Sequence, residues 1–477
     1  MASDELHETV LEDAAEAADN TRENDAHDED NRLKTEFVRR VREALEAGEN
    51  NTVYDLVEPL HPADIADLFE LIEQDERLPL ARAISDQMSP DVIAELNDHV
   101  RELLVETFPA DVIADIAEQL DTDDAVAMIE DLDEKDQQAV LAEMEPEDRA
   151  AIESALSYPE ESAGRLMSRD FVAVPEHMTV GDLIDFLRDD RQLATEFWEV
   201  FIVDARHHPV GTCALSWILR APRSVALTDV MKRDQTLIPV TMDQEEVALR
   251  FQKYALISAA VVDEAGRLVG QITVDDMVHI IQEEASEDIL RLSGAGDGDI
   301  NEPILLTVRT RLTWLFVNLG TAIVASSVVG LFQGAIAKFA LLAVLMPIVS
   351  GMGGNAGTQT LAVVVRALAT NQLTDSNTLR MIVRELRIAL MNGVSLGLMI
   401  GAGVSLLFAN PLLGAVIGLA MVINNLVAGL AGILVPVTLD RLRVDPAVSS
   451  AVFVTMATDV MGFFSFLGLA VLSGLTG

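Results

Sequence analysis

Five apolar stretches, residues 312–332, 339–365, 388–408, 412–439 and 447–475, follow one another in the last third of this chain. Each is long enough to cross a bilayer as a helix, which takes about 20 residues. A segment surrounded by hydrocarbon has to satisfy its own backbone N–H and C=O groups, so a bundle of five helices per chain is expected there. Charge separates this region from the rest. Only nine of the 33 Lys and Arg and six of the 78 Asp and Glu fall after residue 300, so residues 1–300 carry a formal charge of −48 against +3 for the rest and read as a water-soluble, strongly acidic N-terminal part.

Inside the last apolar stretch stands one acid, Asp459. A carboxylate at that depth costs about 2.5–3.5 kcal/mol on insertion scales, so it marks a functional site by default. Thr455 and Gly462, four residues before and three after it, share its helical face. The second stretch contains Pro347, Gly351, Gly353, Gly354 and Gly357, and it is expected to unwind there and turn carbonyls toward a wet path. Asn355 and Gln359, one turn apart, belong to the same segment, and Asn424 and Asn425 in the fourth stretch fit either pore lining or hydrogen bonding between helices. Arg309, Arg311, Arg366, Arg380, Arg384, Arg387, Arg441 and Arg443 flank the stretches on one side and Lys338 alone on the other. The positive-inside rule then puts the N-terminus in the cytoplasm and the C-terminus outside, in a multi-pass protein of the cell membrane.

The soluble part excludes several classes. Acid spread over its whole length opposes nucleic-acid binding and fits a salt-adapted surface. Cys213, the single cysteine, allows no internal disulfide. Residues 1–31 carry no signal-peptide pattern and read as a disordered acidic tail. No enzyme is expected: an intramembrane aspartyl protease needs two carboxylates sharing a proton, and the spans offer one. A soft-metal site has only Met456 and Met461 beside Asp459, and an anion channel would be blocked by the acid. A carrier for another divalent cation such as Co2+, or one coupled to a second ion, stays open.

Residues 32–160 show short helical units that open on a Pro or an acidic cap, near His61, Ser89, Pro109, Asp121 and Glu145, the pattern of a small all-α solenoid. Residues 161–281 alternate strands and helices in two copies, an α/β pair. The second copy has Gly270, Thr273 and Asp276 at the spacing Gly-x-hydrophobic-Thr-x-x-Asp, whereas the first has Gly211 and Ser216 but Leu219 at the last position. Both copies resemble CBS domains. An acidic helix from residue 282 to 298 follows, with Glu284, Glu287 and Asp288 on one face.

An acidic helical region, two CBS-like units, a linking helix and five spans with Pro-x-x-x-Gly-x-Gly-Gly-Asn-x-Gly and Thr-Asp-Val-x-Gly together resemble the MgtE family of magnesium channels and transporters. The resemblance implies a tail over 1–31, a helical N-terminal domain over 32–160, tandem CBS domains over 161–281, a linking (plug) helix over 282–305 and a magnesium-transport domain over 306–477. It implies a homodimer that admits Mg2+ to the cytoplasm and is closed by cytosolic Mg2+. Asp459 and Asn355 match its pore residues, and Asn425 an Asn of the fourth span. Asp276, Glu284, Glu287, Asp288 and Asp445 match regulatory acids, which Asp121 and Asp124 would join. ATP would bind the CBS units at Thr273 and Asp276. Two departures stand out: His279 replaces a further regulatory acid, and Ala451-Val452 replace a Gly-Pro or Asn-Pro pair before Asp459.

Overall fold

The computed structural model describes residues 26–189, 197–293, 301–374, 376–447 and 450–476, with the side chains of Asp288 and Ser293 left out. The chain divides into two compact units, Met1–Ile281 and Gln282–Gly477.

Helices of the first unit begin where Pro and acid caps place them. Pro62–Leu71 follows His61, Pro90–Ala94 follows Ser89, Ala110–Ala117 follows Pro109, α1 (Thr122–Glu130) follows Asp121, and Pro146–Leu156 follows Glu145. Pro costs nothing at the first helical position, where its missing N–H would have no partner. Ser89 Oγ accepts from Val92 N at 3.4 Å, covering one of the donors left over at such a start. One apolar core holds these helices, with Leu68, Phe69, Leu80, Leu104 and Ile129 fully buried. Each contributes about 1.5–3 kcal/mol by leaving water. Ala26 is buried in the same core, and His27 Nε2 lies 3.0 Å from Asp64 Oδ1. Residues 26–31, expected in the acidic tail, therefore belong to the domain, because an apolar Ala and a His with an acidic partner give them something to bury; residues 1–25 of that tail lie outside the described residues.

Two small sheets of one design follow. β1 (Ala173–Pro175), β2 (Glu199–Val203) and β3 (Pro209–Ala214) form the first, and β4 (Leu237–Pro239), β5 (Ser258–Val262) and β6 (Leu268–Thr273) the second. In each, the first strand is parallel and the third antiparallel to the middle one, and the register shifts at the matching steps Ile202/Val203 and Val261/Val262. The hairpin turns also match. Asp204 Oδ1 accepts from Arg206 N and His208 N, and Asp263 Oδ1 from Ala265 N and Arg267 N. The copies part after the third strand: a helix of four residues, Leu215–Ile218, follows β3, while α2 (Val274–Ser293) follows β6.

The length of α2 corrects the expectation of a separate helix starting at residue 282. No Gly or Pro interrupts residues 274–293, and Asp275 and Asp276 in the first turn suit the positive end of the helix dipole. Asp276, Glu284 and Glu287 thus belong to one helix; the expected continuation through residues 294–298 lies outside the described residues.

The second unit contains the five long apolar helices α3 (Ile304–Leu331), α4 (Leu341–Ala369), α5 (Thr378–Leu407), α6 (Pro411–Arg441) and α7 (Ser450–Leu472). α6 is the central one, packed against α4, α5 and α7, while α3 lies along α7. Glycines let α5 and α6 approach: a Cβ on Gly418 would lie 2.7 Å from the Gly397 carbonyl oxygen, and one on Gly401 2.7 Å from that of Gly414.

α4 is one continuous helix through Pro347 and the four glycines, against the expected unwinding. Helical glycine costs about 1 kcal/mol relative to alanine. Unwinding in hydrocarbon would strand N–H and C=O groups at several kcal/mol each, so the helix wins. Gly353 and Gly357 serve packing instead: their Cβ positions lie 2.0 Å from Asn424 Nδ2 and 2.5 Å from Val454 Cγ1.

Candidate functional site

Asp459 of α7 is half-buried, and its Oδ1 accepts a hydrogen bond from the hydroxyl of Ser350, a buried residue of α4. The third wall is Asn424 of α6, with no exposure at all. Asn424 Nδ2 donates to the Val349 carbonyl at 2.8 Å. The amide occupies a slot between Gly353 of α4 and Gly462 of α7, whose Cβ positions would lie 2.0 and 2.8 Å from Nδ2. Asn424 Oδ1 is buried with no partner. The Asp459–Ser350 pair thus lies within one helical turn of the residues that hold the Asn424 amide, Val349 and Gly353 on α4 and Gly462 on α7.

Next to this junction one face of α4 is open on the single chain. Gly351, Asn355, Thr358 and Gln359 are exposed, and a Cβ on Gly351 would meet nothing within 4 Å. Asn355 therefore sits on that polar face rather than against Asp459. Asn425 is turned the other way: it is buried against Gly393 of α5, and its Nδ2 donates to Met421 O at 2.9 Å in its own helix. Adjacent helical residues point about 100° apart, so only one of the two asparagines can face α7, and it is Asn424. Sequence reasoning did not single out Ser350, since a lone Ser in a Gly-rich helix carries no signal of its own.

A second group of acids lies in the first unit. Asp123 and Asp124 on α1 both have pKa values raised by burial and then by Asp276 at the start of α2, which is itself raised by burial and by Asp275. Burial, reinforced by Asp276 and then Asp121, pushes Asp124 to about 6. Burial is also the first cause for Asp123, held well above the usual carboxylate range with Asp276 and Asp124 adding to it, and Asp123 Oδ1 has no hydrogen-bond partner. Asp276 is raised by burial against the pull of Thr273, which donates from Oγ1 at 2.5 Å and from N at 3.2 Å. Asp121 stands at the N-cap of α1. Among the described residues no three His, Cys, Asp or Glu converge closely enough to hold a metal ion, so these acids repel without forming a finished cage. His279, one turn past Asp276, lowers the Asp276 pKa through its charge.

A third group lies within the second unit, around the end of α2. Arg291 of α2 pairs with Glu287 and donates to Asp445 Oδ2 at 2.8 Å, and Leu292 packs against a core that includes Leu361, Ala447 and Val454. Glu284 is half-buried on the same helix, and the Asp288 side chain lies outside the described residues. An arginine thus occupies the space between two acids expected to bind a cation.

Residues 346–469 match the model of the MgtE divalent cation transporters, residues 60–161 that of the MgtE intracellular N domain, and residues 227–283 that of the CBS domain. The magnesium transporter MgtE of Enterococcus faecalis is 32% identical over 431 residues, 90% of this chain and 95% of that protein. That of Thermus thermophilus is 30% identical over 442 residues, 90% and 97% respectively. The crystal structure of the cytosolic domain of the Mg2+ channel MgtE in complex with ATP is 28% identical, covering 51% of this chain and 99% of that one with a TM-score of 0.47. With a relative at that identity spanning nearly its whole length, the chain belongs to the MgtE family.

Proposed function

We propose that this protein conducts Mg2+ across the cell membrane into the cytoplasm, that Asp459 stands in the ion path, and that the acids of the N-terminal part close the path when cytosolic Mg2+ rises. The observation that carries the reading is the Asp459 carboxylate, half-buried between membrane helices with a hydroxyl donor on one oxygen. Mg2+ is small and gives up its waters reluctantly, so a path of carboxylate, hydroxyl and amide oxygens suits a largely hydrated ion better than a dry cage would.

The exposed polar face of α4 supports a homodimer. Asn355, Thr358 and Gln359 are poor neighbours for lipid, and a second copy facing them would enclose a wet path with Asn355 along it and one Asp459 from each chain. Two carboxylates near one divalent ion are neutralised together. Asn425, buried against α5, supports that helix pair and not the path. The flanking arginines support an orientation with the N-terminus and the acidic unit in the cytoplasm and the C-terminus outside.

Closure by Mg2+ follows from the repulsion among Asp121, Asp123, Asp124 and Asp276 and from the acids of α2, Glu284, Glu287 and Asp288, with Asp445. A cation bound among them lowers the cost of bringing them together and favours a compact arrangement, and it shifts the equilibrium only by its preference for that state. ATP is proposed at the second CBS unit, where Thr273 and Asp276 carry the signature; the first unit lacks it, because the matching strand register aligns Gly211 with Gly270 and so puts Ala214 and Trp217, and not Ser216 and Leu219, at the Thr and Asp positions. The test is Mg2+ flux in vesicles holding the purified protein, with the cytosolic side at low and at high Mg2+. Flux that falls at high Mg2+, and fails to fall after Glu284, Glu287 and Asp288 are replaced by Gln and Ala, supports the reading. No flux at either concentration would sink it.

A further inference from the structure

We propose that Ser350 and Asn424 form a positioning pair that sets the affinity and ion preference of Asp459. The proposal rests on the reading of Asp459 as the ion-path carboxylate, and it gives a task to two residues outside the acids discussed so far.

The geometry works in two steps. Asn424 Nδ2 holds the Val349 carbonyl at 2.8 Å, and its amide fills the slot left by Gly353 and Gly462. α4 then cannot turn about its axis, or slide along α7, without losing that bond or driving the amide into main chain. Ser350 is the next residue after Val349, so its hydroxyl is held toward α7, where it donates to Asp459 Oδ1. One carboxylate oxygen is engaged, rotation of the group is stopped, and Oδ2 remains for an ion or its water. A ligand oxygen fixed in place discriminates by ionic size and hydration, whereas one free to rotate adapts to whichever cation arrives.

Stability alone does not account for Asn424. Its Oδ1 is buried with no partner, which is a cost. A leucine, with the same number of side-chain heavy atoms, would avoid the unpaired acceptor, so the asparagine is explained by what Nδ2 does for α4. Ser350 is likewise buried, and its hydroxyl is directed at a charged group, the stronger kind of hydrogen bond.

The experiment uses the full chain in vesicles and measures Mg2+ flux against Mg2+ concentration and in competition with Ca2+. Ser350→Ala is expected to raise the half-saturating Mg2+ by about tenfold, the loss of one hydrogen bond to a charge, and to narrow the Mg2+ over Ca2+ preference. Ser350→Thr keeps the hydroxyl and should restore both. Asn424→Leu should give the same shift, and the double variant should be no worse than the single ones, because Asn424 acts through Ser350. If Asn424→Leu yields no folded protein, the Ser350 pair decides, since Ala at that site leaves the packing intact. Ser350→Ala with wild-type affinity and preference, or Thr no better than Ala, overturns the proposal. Asp459→Asn, run beside them, separates the failures. If it is silent while Ser350→Ala is normal, only the positioning role is wrong; if it conducts normally, the ion-path reading falls and the pair with it.

Discussion

At the membrane site the carboxylate of Asp459 receives a hydroxyl donor from Ser350, whereas in the first unit burial raises Asp123, Asp124 and Asp276, and the charge of Asp276 raises Asp123 and Asp124 further. One site holds its charge ready with a donor supplied by a neighbouring helix. The other stores an electrostatic cost that a cation or a proton would remove. Holding an ion loosely enough to release it and sensing an ion by changing shape are different tasks, and the two arrangements suit them in that order.

The widest separation between the two sites should appear on neutralising one acid in each. Asp459→Asn keeps the shape and loses the charge, and flux should fall to background. Asp276→Asn should leave flux at low Mg2+ near wild type and weaken its inhibition at high Mg2+. Vesicle flux at both concentrations checks the pair, and an Asp459→Asn channel that conducts normally would erase the contrast.

A second comparison lies within the bundle. A Cβ on Gly418 would meet the Gly397 carbonyl oxygen at 2.7 Å, main chain that cannot step aside, while one on Gly354 would meet only Thr458 Oγ1 at 3.9 Å. Gly418→Val should therefore separate α5 from α6, cost at least the ~1–3 kcal/mol of ordinary overpacking, and reduce the yield of folded protein. Gly354→Val should fold and report on the path beside Asn355. Yield and thermal unfolding in detergent distinguish them; equal stability would mean that α5 and α6 do not pack as closely as described.

These contrasts also show what residue order can and cannot convey. The five spans, the duplicated CBS unit and the cap-marked helix starts are local patterns, written in runs of apolar residues, in Gly270 and Gly211, and in Pro62, Pro90 and Pro146. Asp459 was legible because a charge among apolar residues is rare. The integrity of α4 was not, since four glycines look alike in sequence whether they unwind a helix or admit Asn424 and Val454. Nor was the choice of Asn424 over Asn425, which depends on how α6 is rotated against two neighbours. Ser350 has meaning only across the contact to α7.

The stored repulsion in the first unit makes it sensitive to protons. Asp124 has a folded-state pKa of about 6 against an ordinary value of 3.8. For a raised carboxylate the favourable contribution is complete below the ordinary value and is lost as the pH climbs through the raised one. Without Mg2+, thermal unfolding of the full chain in detergent should therefore occur at higher temperature at pH 5 than at pH 7.5. Asp124→Asn should start higher at pH 7.5 and gain less on acidification, because it lacks the charge from the outset. Mg2+ at pH 7.5 should narrow the gap between the two proteins. Equal pH dependence in both would place the sensitivity in the general acidic surface instead.

The smallest expected effect belongs to Arg291, which bridges Glu287 and Asp445 with all three side chains partly exposed, at 37%, 31% and 29%. Exposed pairs of this kind contribute about 0.2–1 kcal/mol, so the guanidinium can bias the position of α2 without fixing it. It supplies a permanent positive charge between two acids, where Mg2+ would otherwise be the only cation available. Arg291→Gln removes that charge and returns the repulsion, so the closed arrangement should lean more heavily on Mg2+. Flux with no cytosolic Mg2+ should rise by no more than about two- to fivefold, while full inhibition at high Mg2+ is retained because the ion now takes the vacated position. An Arg291→Gln protein that no longer closes at any Mg2+ concentration would make the arginine itself the latch, and the contrast between a site that holds its ion and a site that senses it would then have to exclude Glu287 and Asp445.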